Sequence, residues 1–255
     1  MNQPVAITRA VSPRINECEL TYADREPIDP ARARAQHETY EAWLETQGLR
    51  IVRAKDAPDN PDGVFVEDTA IVLDEVAIIT RPGAASRRSE TESVASVLKP
   101  YRELKHIVAP ATIDGGDVLR HGKRIYVGLS TRTSDAVLDQ LGPIVDPFGY
   151  RIDLVPLKRC LHLKSAATLI SDDTILYNPA CVHDEAFHHV RMLEVDSSEP
   201  GAANVLRVND RLLISSSFPR TAEMLMREGF VVDVLHYDEL EKAEAGVTCC
   251  SILVS

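Results

Sequence analysis

The chain has 255 residues, of which 44% are hydrophobic and 26% charged, and its 39 acidic and 28 basic side chains give a net charge of −11. This composition excludes a disordered chain, and the length can bury a sizeable core as one α/β unit or two small domains. The negative balance disfavours nucleic acid and anionic membrane as partners, because both attract clustered Lys and Arg, and it leaves room for a cationic small molecule.

Strand-like and helix-like patterns alternate along the chain. Asp29 as N-cap and Pro30 at the first helical position predict a helix that ends at Gly48. The further predicted elements, in chain order, are strands Val64–Val66, Ala70–Leu73 and Val76–Thr80, a helix from the Ser89/Glu92 capping box to Pro100, and helices Thr133–Leu141 and Thr221–Glu228, closed by Gly142 and Gly229.

A strand, a polar turn and a second strand recur along the sequence. The repeats are Val64–Thr80, Thr112–Gly128, Leu161–Tyr177, Ala203–Ser216 and Val247–Val254, the last completed by the N-terminal Val5–Thr8. Their landmarks Phe65, Ile113, His162, Asn204 and Cys249 are separated by 48, 49, 42 and 45 residues. Such a period suggests a closed ring of modules, although a doubly wound α/β sheet also alternates strands and helices. Because no Gly/Ser-rich linker interrupts the chain, we predict one domain over residues 1–255.

Acidic side chains stand at two predicted strand ends. Glu67 and Asp68 follow an apolar run that begins near Asp62, and they could bind a guanidinium or form a solvated pair. Two glycines separate Asp114 from Asp117, which indicates either close approach of a ligand or a hairpin turn stabilised by aspartates.

A candidate nucleophile completes the polar segments. A reactive thiolate needs a nearby histidine, and His162 and Cys249 offer this pair, although each could instead be an ordinary core residue. A second group consists of Cys181, His183, His188 and His189. Its spacing matches no standard zinc site and is more typical of a polar helical face.

Seven segments, taken in order, resemble the dimethylarginine dimethylaminohydrolase family. They are Phe65-Val66-Glu67-Asp68, Ile79-Thr80-Arg81-Pro82-Gly83, Ser86-Arg87-Arg88, Asp114-Gly115-Gly116-Asp117-Val118, His162-Leu163-Lys164-Ser165, Ala202-Ala203-Asn204 and Thr248-Cys249-Cys250-Ser251. The resemblance covers the chain from about Arg9 to Val254. It implies the pentein fold, a five-bladed α/β propeller of ββαβ modules with pseudo-fivefold symmetry, which agrees with the repeat.

The resemblance also implies a site. Cys249 matches the family nucleophile, His162 its acid/base, and Asp114 the carboxylate that orients the histidine. The implied substrate contacts are Glu67 and Asp68 at the guanidinium, Arg87 and Arg132 at the α-carboxylate, and Leu20, Asp62 and Ala243 at the α-amino end. Leu20 is expected on a mobile lid loop, and Cys250 on the strand face opposite Cys249.

The implied activity is hydrolysis of Nω-methylated L-arginine to citrulline and a methylamine through a covalent cysteine intermediate. It implies a small-molecule substrate, no metal or organic cofactor, and a monomer or homodimer. We expect a cytoplasmic protein, because the N-terminus lacks a secretory pattern and an odd count of five cysteines favours reduced thiols.

Two departures and two alternatives accompany this interpretation. The chain has Glu244-Ala245 where the family often has Asp-Gly, and Ala243 where it usually has a larger aliphatic residue. One alternative is a related enzyme that acts on unmethylated arginine. Two features disfavour it, namely a length of 255 residues that leaves no space for an inserted helical domain, and Lys164 in place of an aspartate. The other is a non-catalytic arginine-derivative binding protein.

Overall fold

The computed structural model describes residues 3–188 and 190–255, which form five three-stranded sheets. In each sheet the middle strand pairs antiparallel with one neighbour and parallel with the other. An antiparallel pair closes through a short turn, whereas a parallel pair needs a crossover, so each sheet is a ββαβ-like module.

The strands of the five sheets, each in spatial order, are β15 (Ile252–Val254), β1 (Val5–Thr8) and β2 (Arg50–Arg53); β3 (Ala70–Val72), β4 (Val76–Ile79) and β5 (Glu103–His106); β6 (Val118–His121), β7 (Arg124–Leu129) and β8 (Arg151–Pro156); β9 (Ala167–Leu169), β10 (Thr174–Tyr177) and β11 (Arg191–Glu194); and β12 (Leu206–Val208), β13 (Arg211–Ser215) and β14 (Val231–Leu235). The helices are α1 (Pro30–Thr46), α2 (Thr91–Leu98), α3 (Leu138–Val145), α4 (Leu163–Ala166), α5 (Pro219–Arg227) and α6 (Asp238–Glu241).

The middle strands are the apolar ones. All four residues of β1, β4 and β10 are buried, because helices and neighbouring modules cover both faces, as is usual for strands with parallel partners. The third strand of each module is an exposed edge. Helices α1, α2, α3 and α5 make four of the crossovers, and a 3-10 turn, Asp184–Ala186, lies in the crossover from β10 to β11.

The five modules close into a ring, as the repeat predicts. Five apolar clusters each join two neighbouring modules, and the cluster that holds Ala6, Leu206 and Leu213 joins the β12–β14 sheet to the sheet that contains β1 and β15. All five first strands (β3, β6, β9, β12 and β15) line one central cavity of about 430 Å³. Val5 pairs with Val254, so the last module is shared between the two ends of the chain.

Element boundaries differ from the predictions where turns mimic strands or helices. Asp29 caps α1 by accepting hydrogen bonds from Ala31 and Arg32, as predicted. The predicted strand Val64–Val66 is wrong, because these residues lead into a 3-10 turn, Val66–Thr69. The Ser89/Glu92 capping box is also absent, since α2 begins at Thr91 with no side-chain cap, and α3 continues through Gly142.

The cysteines and the helices bear on the remaining expectations. All five cysteines are unpaired, as the odd count suggested. Over residues 3–188 and 190–255, no helix has both the length and the apolar character that crossing a bilayer requires.

Candidate active site

The candidate site lies where the segments that precede the first strands meet. Glu67 and Asp68 precede β3, Asp114 precedes β6, His162 precedes β9, and Cys249 precedes β15. The ring therefore brings equivalent positions of different modules together, which explains why residues far apart in sequence form one cluster.

Two glycines allow this close approach. A Cβ on Gly115 would lie 2.0 Å from the backbone oxygen of Glu67, and a Cβ on Gly116 would lie 2.8 Å from both the His162 ring and the Asp68 carboxylate. Neither distance is compatible with a side chain. The glycines in the segment from Asp114 to Asp117 thus serve close packing in a 3-10 turn and not a hairpin turn.

His162 is buried between two carboxylates. Its Nε2 lies 3.0 Å from Asp114 Oδ2, and its Nδ1 lies 3.8 Å from Asp68 Oδ1. Burial opposes protonation, but the charge of Asp68 and the hydrogen bond to Asp114 outweigh it and raise the pKa of His162 to about 9. In turn, burial would raise the pKa of Asp68, but the charges of His162 and Arg87 outweigh burial and lower this pKa to about 2. The imidazole is therefore a cation at neutral pH and can donate a proton.

Cys249 is half-buried beside this cluster. The backbone N–H of Gly246 donates to its Sγ at 3.4 Å. Burial first, and then the charges of Glu67 and Asp68, raise the pKa of the thiol well above its usual value. Cys250 is fully buried in another environment, where it accepts a hydrogen bond from Tyr237 at 2.8 Å.

A small cavity brings together most of the predicted site residues. Its volume is about 20 Å³, which is room for a single water. Of the predicted site residues, those that line it are Asp62, Asp68, Arg87, Arg132, His162, Ala243 and Cys249. Asp114 lies behind His162, and Glu67 and Leu20 are outside the lining.

The two arginines predicted at the α-carboxylate differ in their surroundings. Arg87 is 4% exposed and donates to Asp68 at 2.5 Å, to Glu90 at 2.9 Å and to the Phe65 carbonyl at 2.8 Å. Arg132 is half-buried, and its Nη2 donates to Thr21 Oγ1 at 3.0 Å. Arg87 is therefore held largely by the protein itself, whereas Arg132 is the better placed of the two to bind an incoming anion.

Glu67 forms the partition between the site and the central cavity. Lys164 donates to its Oε1 at 2.7 Å, and Thr248 donates to its Oε2 at 2.7 Å. Asn204 holds Thr248 in place by accepting from its backbone N–H at 3.0 Å. Glu67 lines the central cavity, and Lys164 neutralises its carboxylate there.

The loop that carries Leu20 covers the cavity. Leu20 packs against the apolar cluster around Tyr40 and Tyr237, and the preceding residue, Glu19, lines the cavity and donates its backbone N–H to Asp62 at 3.1 Å. Burial raises the pKa of Asp62 to about 6, although the charge of Arg87 opposes this.

One group of side chains has the spacing of metal ligands. Among residues 3–188 and 190–255, Asp68, Asp114 and His162 alone place three ligand atoms within 4.8 Å of one another. Arg87, Gly116 and Gly83 already donate to these carboxylates, so an ion would compete with existing hydrogen bonds. The other suggested group, which includes Cys181 and His183, makes no such cluster over the described part of the chain, and His189 lies outside the described residues.

Sequence reasoning gave no role to two residues that support the site. Asp117 is buried and accepts hydrogen bonds from Ser130, Thr133 and the backbone N–H of Leu163, which fixes the turn after His162. Its place in the Asp-Gly-Gly-Asp motif was the available signal. Glu244, noted only as a departure from the family pattern, lines the cavity and binds the loop over it.

Comparisons with known proteins agree with this geometry. A family model described as eukaryotic N,N-dimethylarginine dimethylhydrolase matches residues 4–178. An N(G),N(G)-dimethylarginine dimethylaminohydrolase of Streptomyces coelicolor is 40% identical over 248 residues, covering 97% of this chain and 95% of that protein. The enzyme of the same name from Pseudomonas aeruginosa is 33% identical, with coverage of 88% and 89%.

Solved structures show the same architecture. A Cys-to-Ser variant of the Pseudomonas aeruginosa enzyme in complex with citrulline superposes with a TM-score of 0.92 at 31% identity, with complete coverage of both chains. The N-terminal domain of ArgZ, a cyanobacterial arginine dihydrolase, gives 0.85 at 17% identity, covering 99% and 98% of the two chains, and supports the fold alone. The fold class is thus the five-bladed α/β propeller of pentein type that the sequence predicted.

Proposed function

The chain belongs to the dimethylarginine dimethylaminohydrolase family, and from this premise we propose that it hydrolyses Nω-methylated L-arginine to L-citrulline and mono- or dimethylamine. The observation that carries the proposal is that Cys249, a protonated His162 and the Asp68 carboxylate line one cavity. We propose Cys249 as nucleophile, His162 as acid/base and Asp114 as the residue that orients and charges His162.

We propose that charge recognises the two ends of the substrate. Of the two carboxylates proposed for the guanidinium, Asp68 lines the cavity and also accepts hydrogen bonds from Arg87 and Gly116, whereas Glu67 lies outside the lining and pairs with Lys164. Arg132, backed by Arg87, binds the α-carboxylate through charge-assisted hydrogen bonds. Asp62, Ala243 and the backbone of Leu20 border the α-amino end.

The proposed reaction proceeds in two halves. A bound guanidinium places a positive charge beside Cys249, which lowers the pKa of the thiol, so that the thiol releases its proton to solvent and becomes the thiolate. The sulfur attacks the guanidinium carbon and forms a C–S bond. His162 protonates the methylated nitrogen, the C–N bond breaks and the methylamine leaves. Water then gives one proton to His162 and attacks the thiouronium carbon. The C–S bond breaks, the added hydroxyl gives its proton to the departing sulfur of Cys249, and citrulline is released.

The Lys164–Glu67 ion pair favours a methylated substrate over arginine. An enzyme that binds unmethylated arginine is expected to offer a second free carboxylate to the guanidinium. Here Lys164 pairs with the carboxylate of Glu67 at 2.7 Å, so that carboxylate is not free. The wall instead includes the apolar side chains of Phe65 and Leu161, which methyl groups can contact.

The proposal is tested by measuring citrulline release from Nω,Nω-dimethylarginine and from arginine in parallel. We expect a clear preference for the methylated substrate, no turnover by Cys249→Ser, and retained turnover by Cys250→Ser, because Cys250 packs against Tyr237 away from the cavity. Preference for arginine would overturn the substrate assignment. Loss of turnover in a folded Cys250→Ser variant would overturn the assignment of the nucleophile.

We also propose that residues 1–255 act as a single catalytic domain, cytoplasmic, and as a monomer or homodimer. The five apolar clusters that join every module to its neighbours support one cooperative unit. A single unfolding transition, with coincident loss of turnover and of far-UV circular dichroism, is the expected observation.

A further inference from the structure

The loop over the cavity is fastened by a residue outside the proposed chemistry. We define the lid segment as residues 19–23. The backbone N–H of Thr21 donates to Glu244 Oε2 at 2.6 Å, and those of Tyr22 and Ala23 donate to Oε1 at 2.7 Å. One carboxylate therefore binds three consecutive amide groups, and hydrogen bonds to an ionised acceptor are the strong ones.

The backbone of Glu244 is held in an unfavourable conformation at this point. Its φ is +57°, in the left-handed region that costs a non-glycine residue about 1 kcal/mol or more. A non-glycine residue keeps a left-handed backbone conformation only where contacts with the surrounding structure impose that conformation. Here the conformation directs the carboxylate across the cavity mouth toward the lid segment, while the adjacent Ala243 and Ala245 remain buried in the wall.

The lid segment has other contacts, and apart from the hydrogen bond that Ser86 donates to Glu19 Oε1 at 2.6 Å, those at the cavity involve groups assigned to the substrate. Arg132 donates to Thr21 Oγ1 at 3.0 Å, and Asp62 accepts from the backbone N–H of Glu19 at 3.1 Å. Both side chains are expected to turn toward a bound amino acid. Glu244 can keep its three hydrogen bonds when the substrate is present.

The cavity is too small for the proposed substrate, so the lid segment must open and close reversibly. A volume of about 20 Å³ admits one water, so an arginine derivative enters and citrulline leaves only when the lid segment moves. We propose that Glu244 is the positioning residue that closes the lid segment over the bound substrate by accepting hydrogen bonds from the amides of Thr21, Tyr22 and Ala23. The effect on KM rests on the proposed function, whereas the latch, which is the binding of the lid segment by Glu244, does not.

Hydrogen exchange measures the latch without reference to activity. We expect amide exchange at residues 21–23 to be at least about tenfold faster in Glu244→Ala than in the parent, with an intermediate increase in Glu244→Gln, which keeps a neutral acceptor. Glu244→Gly separates the carboxylate from the backbone, because glycine adopts a positive φ readily. It should lose the same protection without losing thermal stability.

Kinetics then measure the consequence for the substrate. We expect the KM for Nω,Nω-dimethylarginine to rise at least about fivefold in Glu244→Ala, because the closed complex is less favoured, while kcat falls by no more than about twofold. Glu241→Gln is the matched control, since that carboxylate lies three residues away and binds Ser217 Oγ at 2.6 Å. It should leave exchange at residues 21–23 unchanged.

Each outcome is decisive. Unchanged exchange in Glu244→Ala overturns the latch, and faster exchange with an unchanged KM overturns its positioning role. A raised KM with unchanged exchange assigns Glu244 to direct contact with the substrate amine and also overturns the proposal. Faster exchange in Glu244→Ala, together with no hydrolysis of methylated arginine by the parent protein, leaves the latch standing and removes the proposed function.

Discussion

His162 shows how burial and charge act against each other on one residue. Removing an imidazolium from water favours the neutral ring, yet Asp68 and Asp114 raise the pKa of His162 to about 9. Since this value lies above neutral pH, the ring carries its proton before substrate binds. A leaving amine can therefore be protonated without a preceding proton transfer from the thiol.

Replacing Asp114 tests this electrostatic balance. In Asp114→Asn a neutral amide replaces the carboxylate at 3.0 Å from His162 Nε2, so the protonated ring loses stabilisation and its pKa falls. We expect the midpoint to move from about 9 to lower pH by at least about one unit. The measurement is an NMR titration of the His162 ring in a Cys249→Ser background, which removes coupling to the thiol.

The control for this titration is Asp139→Asn, which removes a carboxylate from the exposed face of α3. It should leave the midpoint of His162 in place, because exposed charges are screened by solvent. An unmoved midpoint in Asp114→Asn would show that Asp114 orients the ring without charging it.

Local motifs singled out the cysteine, histidine and aspartates as candidates, and the family resemblance, not the motifs alone, gave them roles. Neither revealed all of their partners. The partnership of Glu244 with Thr21 was not recognisable, because the two are 223 residues apart and the donor is a backbone amide, which leaves no trace in the sequence. For the same reason, the family pattern could not show that Arg87 is engaged by Glu90 and Asp68.

At the level of elements, the segments before the first strands carry the site. Apolar runs such as Val64–Val66 resemble strands in composition, and for that reason the sequence predicted a strand there. In the structure the chain instead turns through the 3-10 segment Val66–Thr69 and places Glu67 and Asp68 toward the axis. The turn is specified by packing against Gly115, a contact 48 residues along the chain that no local pattern contains.

Gly115→Ala tests the requirement for close packing between these segments. The added methyl would lie 2.0 Å from the backbone oxygen of Glu67, so one segment must move. We expect a loss of at least about 2 kcal/mol in the free energy of unfolding, measured by urea denaturation, together with loss of turnover.

Gly142→Ala is the matched substitution within α3, where nothing lies within 4 Å of the added Cβ. It should raise the free energy of unfolding by up to about 1 kcal/mol, because alanine is the better helix former. Equal stabilities for the two variants would contradict the role assigned to Gly115.

At the scale of the whole molecule, the ring explains both the repeat and the unequal spacing of its landmarks. The shortest separation, 42 residues, spans the module whose crossover from β10 to β11 contains only a short 3-10 turn. The three longer separations span modules whose crossovers contain a helix, namely α2, α3 or α5. Periodicity alone could not distinguish a ring from an open sheet, because closure depends on the pairing of β1 with β15. The resemblance to a known family resolved that ambiguity, and the register Val5↔Val254 confirms it.

Closure by this pair predicts the behaviour of circular permutants. In four modules the first and middle strands are joined by a turn, and in the fifth the start of β1 and the end of β15 lie side by side at the equivalent place. A short turn joining Ser255 to Gln3 should therefore complete a fifth hairpin. With new ends between the exposed Gly122 and Lys123, we expect a free energy of unfolding within about 2 kcal/mol of the parent.

The matched permutant has the same joined ends but opens the chain between Tyr126 and Val127, in the buried middle strand β7. We expect it to lose cooperative unfolding, because the break removes pairing on both sides of a core strand. Urea denaturation followed by circular dichroism compares the two. Failure of the permutant opened at Gly122, with folding of the one opened in β7, would contradict the closed ring. It would mean that a hairpin turn cannot be opened even when the two original ends are joined into an equivalent turn.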